Sequence, residues 1–216
     1  MIEGMFEVFQ RDTFWPTVWR HIELSAISLL IGIVISVTLA IAISRSQRAS
    51  LVGINVTNLG RGIPDLAWLA LFLVLVGIGF LPAVLALILL AIPPILINTI
   101  TALNQVDARI IDSAKGMGFS GFQILKDVQL PIAAPLIFAG IRTSAVQVVA
   151  GATLATFIGG GGLGNYIVEG FQSGSNATML AGAIPVTILA IATEFAFGGL
   201  ERVSTPKGLK IAASKN

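Results

Sequence analysis

The sequence predicts an all-α integral membrane protein with five transmembrane helices, and three observations carry that expectation. Of its 216 residues, 55% are hydrophobic and 11% charged, against about 25% charged in soluble domains. The apolar residues gather into runs near the roughly 20 residues a helix needs to cross a hydrocarbon core at about 1.5 Å per residue. Lysines and arginines fall mainly in alternate gaps between those runs, as loops on one side of a membrane do.

Residues 1–20 carry Glu3, Glu7 and Asp12 and lead into a run longer than a signal-peptide core, without a small-residue cleavage pattern. They read as an uncleaved tail on the outer side. The first span covers 24–43 and is followed by RSQR. The second, 63–78, is the shortest, and its start can shift back toward Val56. The third, 81–103, holds Pro93 and Pro94, each of which removes a backbone donor and favours a kink. The fourth covers 132–158 and the fifth 178–200, followed by a tail at 201–216. All 216 residues read as one membrane domain. Arg45, Arg48 and Arg61 lie between spans one and two, Arg109, Lys115 and Lys126 between three and four, and Arg202, Lys207, Lys210 and Lys215 after five. The opposite side holds GIGFLP, a loop with Glu169 and no Lys or Arg, and the mixed-charge N-terminal tail with Arg11 and Arg20. The positive-inside rule then puts the N-terminus outside and the C-terminus in the cytoplasm.

Composition also excludes several functions. A net charge of +2 argues against a nucleic-acid partner. With no cysteine and one histidine, His21, there is no disulfide framework and no thiolate or histidine cluster for a metal. No carboxylate dyad and no nucleophile with a base stand out, so neither covalent catalysis nor a cofactor is expected in this chain.

One stretch departs from the oily background: RIIDSAKGMGFSGFQILKDVQLP, from Arg109 to Pro131. Asp107 suits a helix N-cap, and Ile110, Ile111, Ala114 and Met117 then recur at one-turn intervals. The helix closes at GMG, where Gly116 or Gly118 takes a left-handed backbone. Ser120 and Gln123 form a capping box for a second short helix with Phe122, Leu125 and Val128 on one side, stopping before Pro131. Phe122 and Leu125 are then offered to a partner, or to the lipid surface as an interfacial helix; the pattern alone leaves both open.

The same stretch resembles the EAA motif of permease subunits of bacterial ABC importers: Glu-Ala-Ala, three residues, Gly, nine residues, Ile, one residue, Leu-Pro. Asp112, Ser113 and Ala114 stand at the triplet, Gly118 at the glycine, Val128 at the isoleucine, and Leu130 and Pro131 at the close. Spacing matches throughout, while Asp, Ser and Val depart from the pattern in identity. GIPDLAWLALFLVLVGIGFLPAVLALILLAIPPILINTITALNQVDARIIDSAKGMG and AGIRTSAVQVVAGATLATFIGGGGLGNYI are similar to the osmoprotectant branch, whose substrates include glycine betaine, choline and carnitine. Ala108 stands where that branch often has proline.

The resemblance implies a MetI-like type I importer permease fold in the bacterial cytoplasmic membrane. It implies that 107–131 is a coupling segment docking on a separate ATP-hydrolysing subunit. The implied partners are two such ATPases, a second permease (identical or homologous), an extracytoplasmic substrate-binding protein, the osmolyte and membrane lipid. The alternatives are a permease of the same kind for another small solute, such as an amino acid, and a transporter or channel driven by an ion gradient. The last normally carries deep acidic residues and internal repeats; here the deep acids reduce to Glu194 and no repeat is found.

FIGGGGLGNY contains a formal G-x-G-x-x-G at Gly159, Gly161 and Gly164, but no strand precedes it and Asn165 stands where a Walker lysine would be. The glycines read instead as a tight turn, and the resemblance implies that Gly161 and Gly162 lie near an outer gate. Arg142 and Glu194 sit at comparable depth and read as a structural ion pair, with Asp65 as the other candidate partner for Arg142. Trp68, Asn98 and Gln147 are polar or amphipathic groups within spans, where bridging between helices and lining of a pathway both fit.

Overall fold

In the computed structural model, which describes residues 2–204, every apolar run is helical and no strand forms among the described residues. Helix α1 (Ile2–Phe9) packs Met5, Val8 and Phe9 around Phe14, Leu163 and Tyr166. The expected outer tail is therefore a helix folded onto the bundle, because its apolar residues recur on one face. Arg11 Nη1 donates to Glu169 Oε1 at 2.8 Å and pins the connection that follows.

Helix α2 (Phe14–Ser44) contains the first span and begins well before Leu24. Ser28, Gly32, Ser36 and Ala40, four residues apart, are all buried, the small-residue stripe that lets two helices in a membrane approach closely. That stripe faces α5 (Phe80–Asn104): a Cβ on Gly32 would lie 2.6 Å from Ala91 Cβ. Helix α5 is the central post of the fold and passes through both prolines as one helix. Around them, Ser144 Oγ donates to the Ala91 carbonyl at 2.9 Å, Ser36 Oγ to Ile92 O at 3.4 Å, and Asn98 Nδ2 to Pro94 O at 2.7 Å. Side-chain donors from α2, α5 and α8 thus gather on carbonyls beside the proline pair, tying the helices together there.

The second expected span, 63–78, holds a single short helix, and a start moved back toward Val56 would cross a break. Helices α3 (Gln47–Arg61) and α4 (Asp65–Val76) are bent by 89° across Gly62-Ile63-Pro64. At 12 residues, α4 is about 18 Å long, too short to cross a ~30 Å core alone. The break follows from the sequence: Gly62 ends α3, and Pro64 disfavours a helical backbone at Ile63.

After α5 come α6 (Ala108–Gly116) and α7 (Gly121–Gln123), which runs without interruption through a π-helical turn (Ile124–Gln129) into α8 (Leu130–Gly151). A 3₁₀ stretch (Ala152–Ile158), α9 (Gly164–Ser173) and α10 (Asn176–Ser204) complete the fold. Among the described residues, four helical stretches are long and apolar enough to cross a membrane, and the bent α3–α4 pair makes a fifth span if taken together. Lys207, Lys210 and Lys215, expected on the inner side, lie outside the described residues. For reference, the end of the bundle at Asn104 and α6 is the elbow end, and the other, at Phe80 and Gly159, is the glycine-run end.

Candidate functional site: a capped elbow and the polar groups of the bundle

The elbow is built from local backbone chemistry. The Asp107 carboxylate accepts from Arg109 N at 2.9 Å and from Arg109 Nε at 3.3 Å. Those contacts, the backbone N–H first, hold its carboxyl below the usual carboxylate range. Of the two candidate glycines, Gly116 is inside α6 and Gly118 takes the left-handed backbone, at φ +84°. Phe119 N then donates to Ala114 O at 3.1 Å and Gly118 N to Lys115 O at 2.9 Å, the two bonds of a Schellman cap. Ser120 and Gln123 form the capping box: Gln123 N donates to Ser120 Oγ at 3.4 Å, and Ser120 N to Gln123 Oε1 at 2.8 Å. Both sides of the bend are therefore fixed without help from another chain.

The second helix does not stop before Pro131. Leu130 N donates to Leu125 O across the widened turn, so the backbone changes its hydrogen-bond register just before the proline and continues into α8. Leu125 and Leu130 are half-buried and pack against the core cluster that includes Leu103, Ala133 and Ile137, so Leu125 is less open to a partner than Phe122. Val128 is half-buried and Pro131 exposed. The exposed apolar groups are Phe122 and Met117, both at 69% exposure, with Ile110 and Phe119. Ala114 is buried beneath them, while Asp112 and Lys115 pair at 3.0 Å and Ser113 Oγ donates to Arg109 O at 2.7 Å. A groove of 740 Å³ runs beside Phe122 and Leu125 to Ile111, Asn104 and Arg45.

Farther into the bundle, Arg142 Nε donates to Glu194 Oε1 at 2.8 Å, Nη2 donates to the same oxygen, and Nη1 reaches Glu201 Oε2 at 3.0 Å. The expected pair is present, with Glu201 as an additional acceptor, and it ties α8 to α10. Asp65 takes no part. Asn98 is occupied with the Pro94 carbonyl, and Gly140 is packed on both: a Cβ there would lie 2.7 Å from Asn98 Cβ and 2.8 Å from Pro94 O. Asn98 thus sets the spacing of α5 and α8. Trp68 and Gln147 are brought together, at a 160 Å³ cavity that also receives Arg61, Asp65 and Pro93. Arg61, placed by the sequence reading in a loop, stands beside the middle of α5. Asp65 adds a second deep acid to Glu194.

At the glycine-run end, Gly159, Gly161 and Gly162 all have positive φ, which is why the turn is made of glycine. A side chain passed over by the sequence reading organises it: His21 is completely buried. Leu163 N donates to His21 Nδ1 at 3.3 Å, so the ring hydrogen sits on Nε2, which donates to Val149 O at 3.0 Å. A Cβ on Gly162 would lie 3.0 Å from Nδ1, and one on Gly161 3.3 Å from Arg20 Cγ. Gly161 and Gly162, expected near an outer gate, both lie against α2.

A bundle with a broken span, charged groups held within it and a capped apolar elbow at one end is a helical membrane transport subunit. Comparison with known proteins agrees. The family described as "Binding-protein-dependent transport system inner membrane component" matches residues 32–204. The glycine betaine/carnitine/choline transport system permease protein OpuCB of Bacillus subtilis (strain 168) is 41% identical over 191 residues, 88% of each chain. The carnitine transport permease protein OpuCB of Listeria monocytogenes is 42% identical over 90% of this chain and 89% of its own. The choline transport system permease protein OpuBB of Bacillus subtilis (strain 168) is 40% identical over 89% of this chain and 88% of its own. Among solved structures, an inward-facing MetNI methionine ABC transporter chain superposes with a TM-score of 0.77 at 25% identity, covering 89% of this chain and 96% of that one. The chain belongs to the family of inner-membrane components of binding-protein-dependent transport systems, and the resemblance to osmoprotectant ABC permeases read from the sequence is borne out.

Proposed function

We propose that this chain is the permease subunit of an ATP-driven importer of quaternary ammonium osmoprotectants, such as glycine betaine, choline or carnitine. The solute class is supported by what the relatives' names say of those proteins. Coupling is carried by one observation: a bend capped on both sides that presents Ile110, Met117, Phe119 and Phe122 to a partner. Burying each such side chain is worth about 1.5–3 kcal/mol, and a rigid backbone spends little of that on ordering. A separate ATPase subunit is the occupant of this elbow, Asp112 to Pro131, with a second permease completing the wall of the path. A substrate-binding protein meets the glycine-run end. The chain itself hydrolyses no ATP and holds no cofactor.

Orientation rests on charge. Arg45, Arg48, Arg109, Lys115 and Lys126 gather at the elbow end, which supports a cytoplasmic position for that end by the positive-inside rule, whereas the glycine-run end mixes Arg11 and Arg20 with Glu3, Glu7, Glu23 and Glu169. The N-terminus is then outside and the C-terminus inside. The test is uptake of labelled glycine betaine, carnitine and choline by cells that have this permease as their sole route, with Phe122→Ser and Met117→Ser as probes. Expected are energy-dependent uptake in the parent and its loss in the double variant, while the protein remains in the membrane. Undiminished uptake by the double variant contradicts coupling at the elbow, and no uptake of any of the three solutes contradicts the solute class.

A further inference from the structure

The break between α3 and α4 lies at the depth of Pro93, thirteen residues into the 25-residue α5. That is about 20 Å from the Phe80 end, near the middle of a bilayer. Gly62, Ile63 and Pro64 are exposed there outside any helix. Irregular backbone at such depth persists only where protein buries it or where it lines a water-filled cavity, and broken helices near the midplane mark solute sites in other transporter architectures. The cavity at the break receives Arg61, Asp65, Trp68, Pro93 and Gln147. Arg61 and Asp65 form no ion pair or side-chain hydrogen bond with any described residue. Gln147 is exposed on the face of α8. Two unpaired charges and an unpaired amide at this depth are costly in hydrocarbon and make sense facing a polar solute.

We infer that this cavity is a solute subsite for zwitterionic quaternary ammonium compounds, with Trp68 and Asp65 toward the ammonium and Arg61 and Gln147 toward the carboxylate. The inference rests on the proposed solute class and adds where the solute is held and which end each residue reads. A trimethylammonium group cannot donate hydrogen bonds, so it is recognised by an aromatic face and a diffuse negative charge, which Trp68 and Asp65 supply. Arg61 supplies the planar donor set suited to a carboxylate. At 160 Å³ the space is smaller than the roughly 300 Å³ where drug-sized sites begin. It suits a compact solute. Glycine betaine and carnitine satisfy both halves of the site; choline satisfies one.

The test is competitive uptake of labelled glycine betaine and choline by the complete transporter in cells, because the ratio of the two does not depend on how much protein is made. The parent is expected to favour glycine betaine. Arg61→Gln is expected to lower the glycine betaine to choline ratio by about tenfold or more, the size of a lost charge-assisted hydrogen bond, while Trp68→Ala lowers uptake of both. A second measurement avoids reliance on Arg61 variants that fail to accumulate. The chain has no cysteine, so Gln147→Cys introduces its sole thiol, and glycine betaine is expected to slow alkylation of that thiol by a small methanethiosulfonate reagent. A parent that favours choline, an unchanged ratio in Arg61→Gln, or a thiol that saturating glycine betaine leaves unprotected overturns the subsite. Failure of the parent to carry any quaternary ammonium solute overturns instead the function on which it rests.

Discussion

Replacing Gly118 with alanine isolates backbone strain from packing. The glycine has φ +84°, and a Cβ built there meets nothing within 4 Å, so the substitution causes no clash. Its cost is that of holding an L-residue in a left-handed backbone, about 1–2 kcal/mol. Gly116, two residues earlier, lies inside α6, and a Cβ there also meets nothing within 4 Å. Alanine at that position gains about 0.5–1 kcal/mol through helix propensity. Neighbouring substitutions of the same kind should therefore act in opposite directions. The assay is hydrogen exchange of Gly118 N–H and Phe119 N–H, whose acceptors are Lys115 O and Ala114 O, in the detergent-solubilised protein. Gly118→Ala should reduce protection of these amides by a factor of roughly 5–30, and Gly116→Ala should raise it roughly 2–5-fold. Gly118→Asn should fall nearer the parent, because asparagine tolerates this backbone. A loss of protection in both alanine variants, or in neither, refutes the cap as the element that sets the bend.

Other expectations follow from the same geometry. A Cβ on Gly164 would lie 2.0 Å from the Thr153 carbonyl, whereas one on Gly199 meets nothing within 4 Å. Gly164→Ala should thus destabilise by at least the roughly 1–3 kcal/mol typical of overpacking, and Gly199→Ala should be neutral or slightly stabilising; melting in detergent checks both. Arg142→Leu should lower the melting temperature more than Glu194→Gln does, because the first removes the donors to both Glu194 and Glu201 and the second leaves the Glu201 contact in place. Equal effects refute Arg142 as the shared hub. The Asp107 carboxyl is held below its ordinary range, so its support of α6 is complete above the ordinary value, about pH 4, and is lost as the pH falls through the folded value. Protection of the α6 amides, corrected for intrinsic exchange, should fall in acid in the parent and stay flatter in Asp107→Asn, which still caps the helix.

What the sequence revealed of this fold was local. Asp107, Ser120 and Gln123 are legible because a cap involves residues two or three apart, and Arg142 with Glu194 because counting from the ends of apolar runs puts them at one depth. Reading failed where long-range packing decides. The charged NLGRGIPD segment looks like a loop between spans, yet α5 draws Arg61 to mid-depth, and only that neighbour shows it. Pro131 looks like a stop, but the π-helical turn before it leaves the helix continuous. Glu201 lay beyond the counted end of the fifth span. His21 was passed over as a lone histidine because both its partners, Val149 and Leu163, are more than a hundred residues away. The glycine pattern itself offered a signal that was available but unused: a turn with three left-handed residues needs something to be wrapped around.

The continuity of α7 with α8 bears on how an elbow serves a cavity in the middle of the bundle. Had the second short helix ended at Pro131, a push at Phe122 would have been absorbed in a flexible joint. Instead Phe122 begins a single helical stretch from Gly121 to Ile158, which carries Gln147 at the cavity and Val149, the acceptor for His21. The stretch cannot slide freely along α5, because Gly140 fits against Asn98 and Pro94 with no room for a methyl group. Packed interfaces of this kind shift as units between discrete arrangements. If a partner moves the elbow, α8 and α5 are therefore expected to respond together, and the bent α3–α4 pair, joined through exposed Gly62, Ile63 and Pro64, is the place where the chain beside them is not held in one continuous helix. The charges of Arg61 and Asp65 sit on either side of that hinge. Under the proposed coupling, motion at the elbow is then expected to alter the distance between the groups proposed to grip the two ends of the solute.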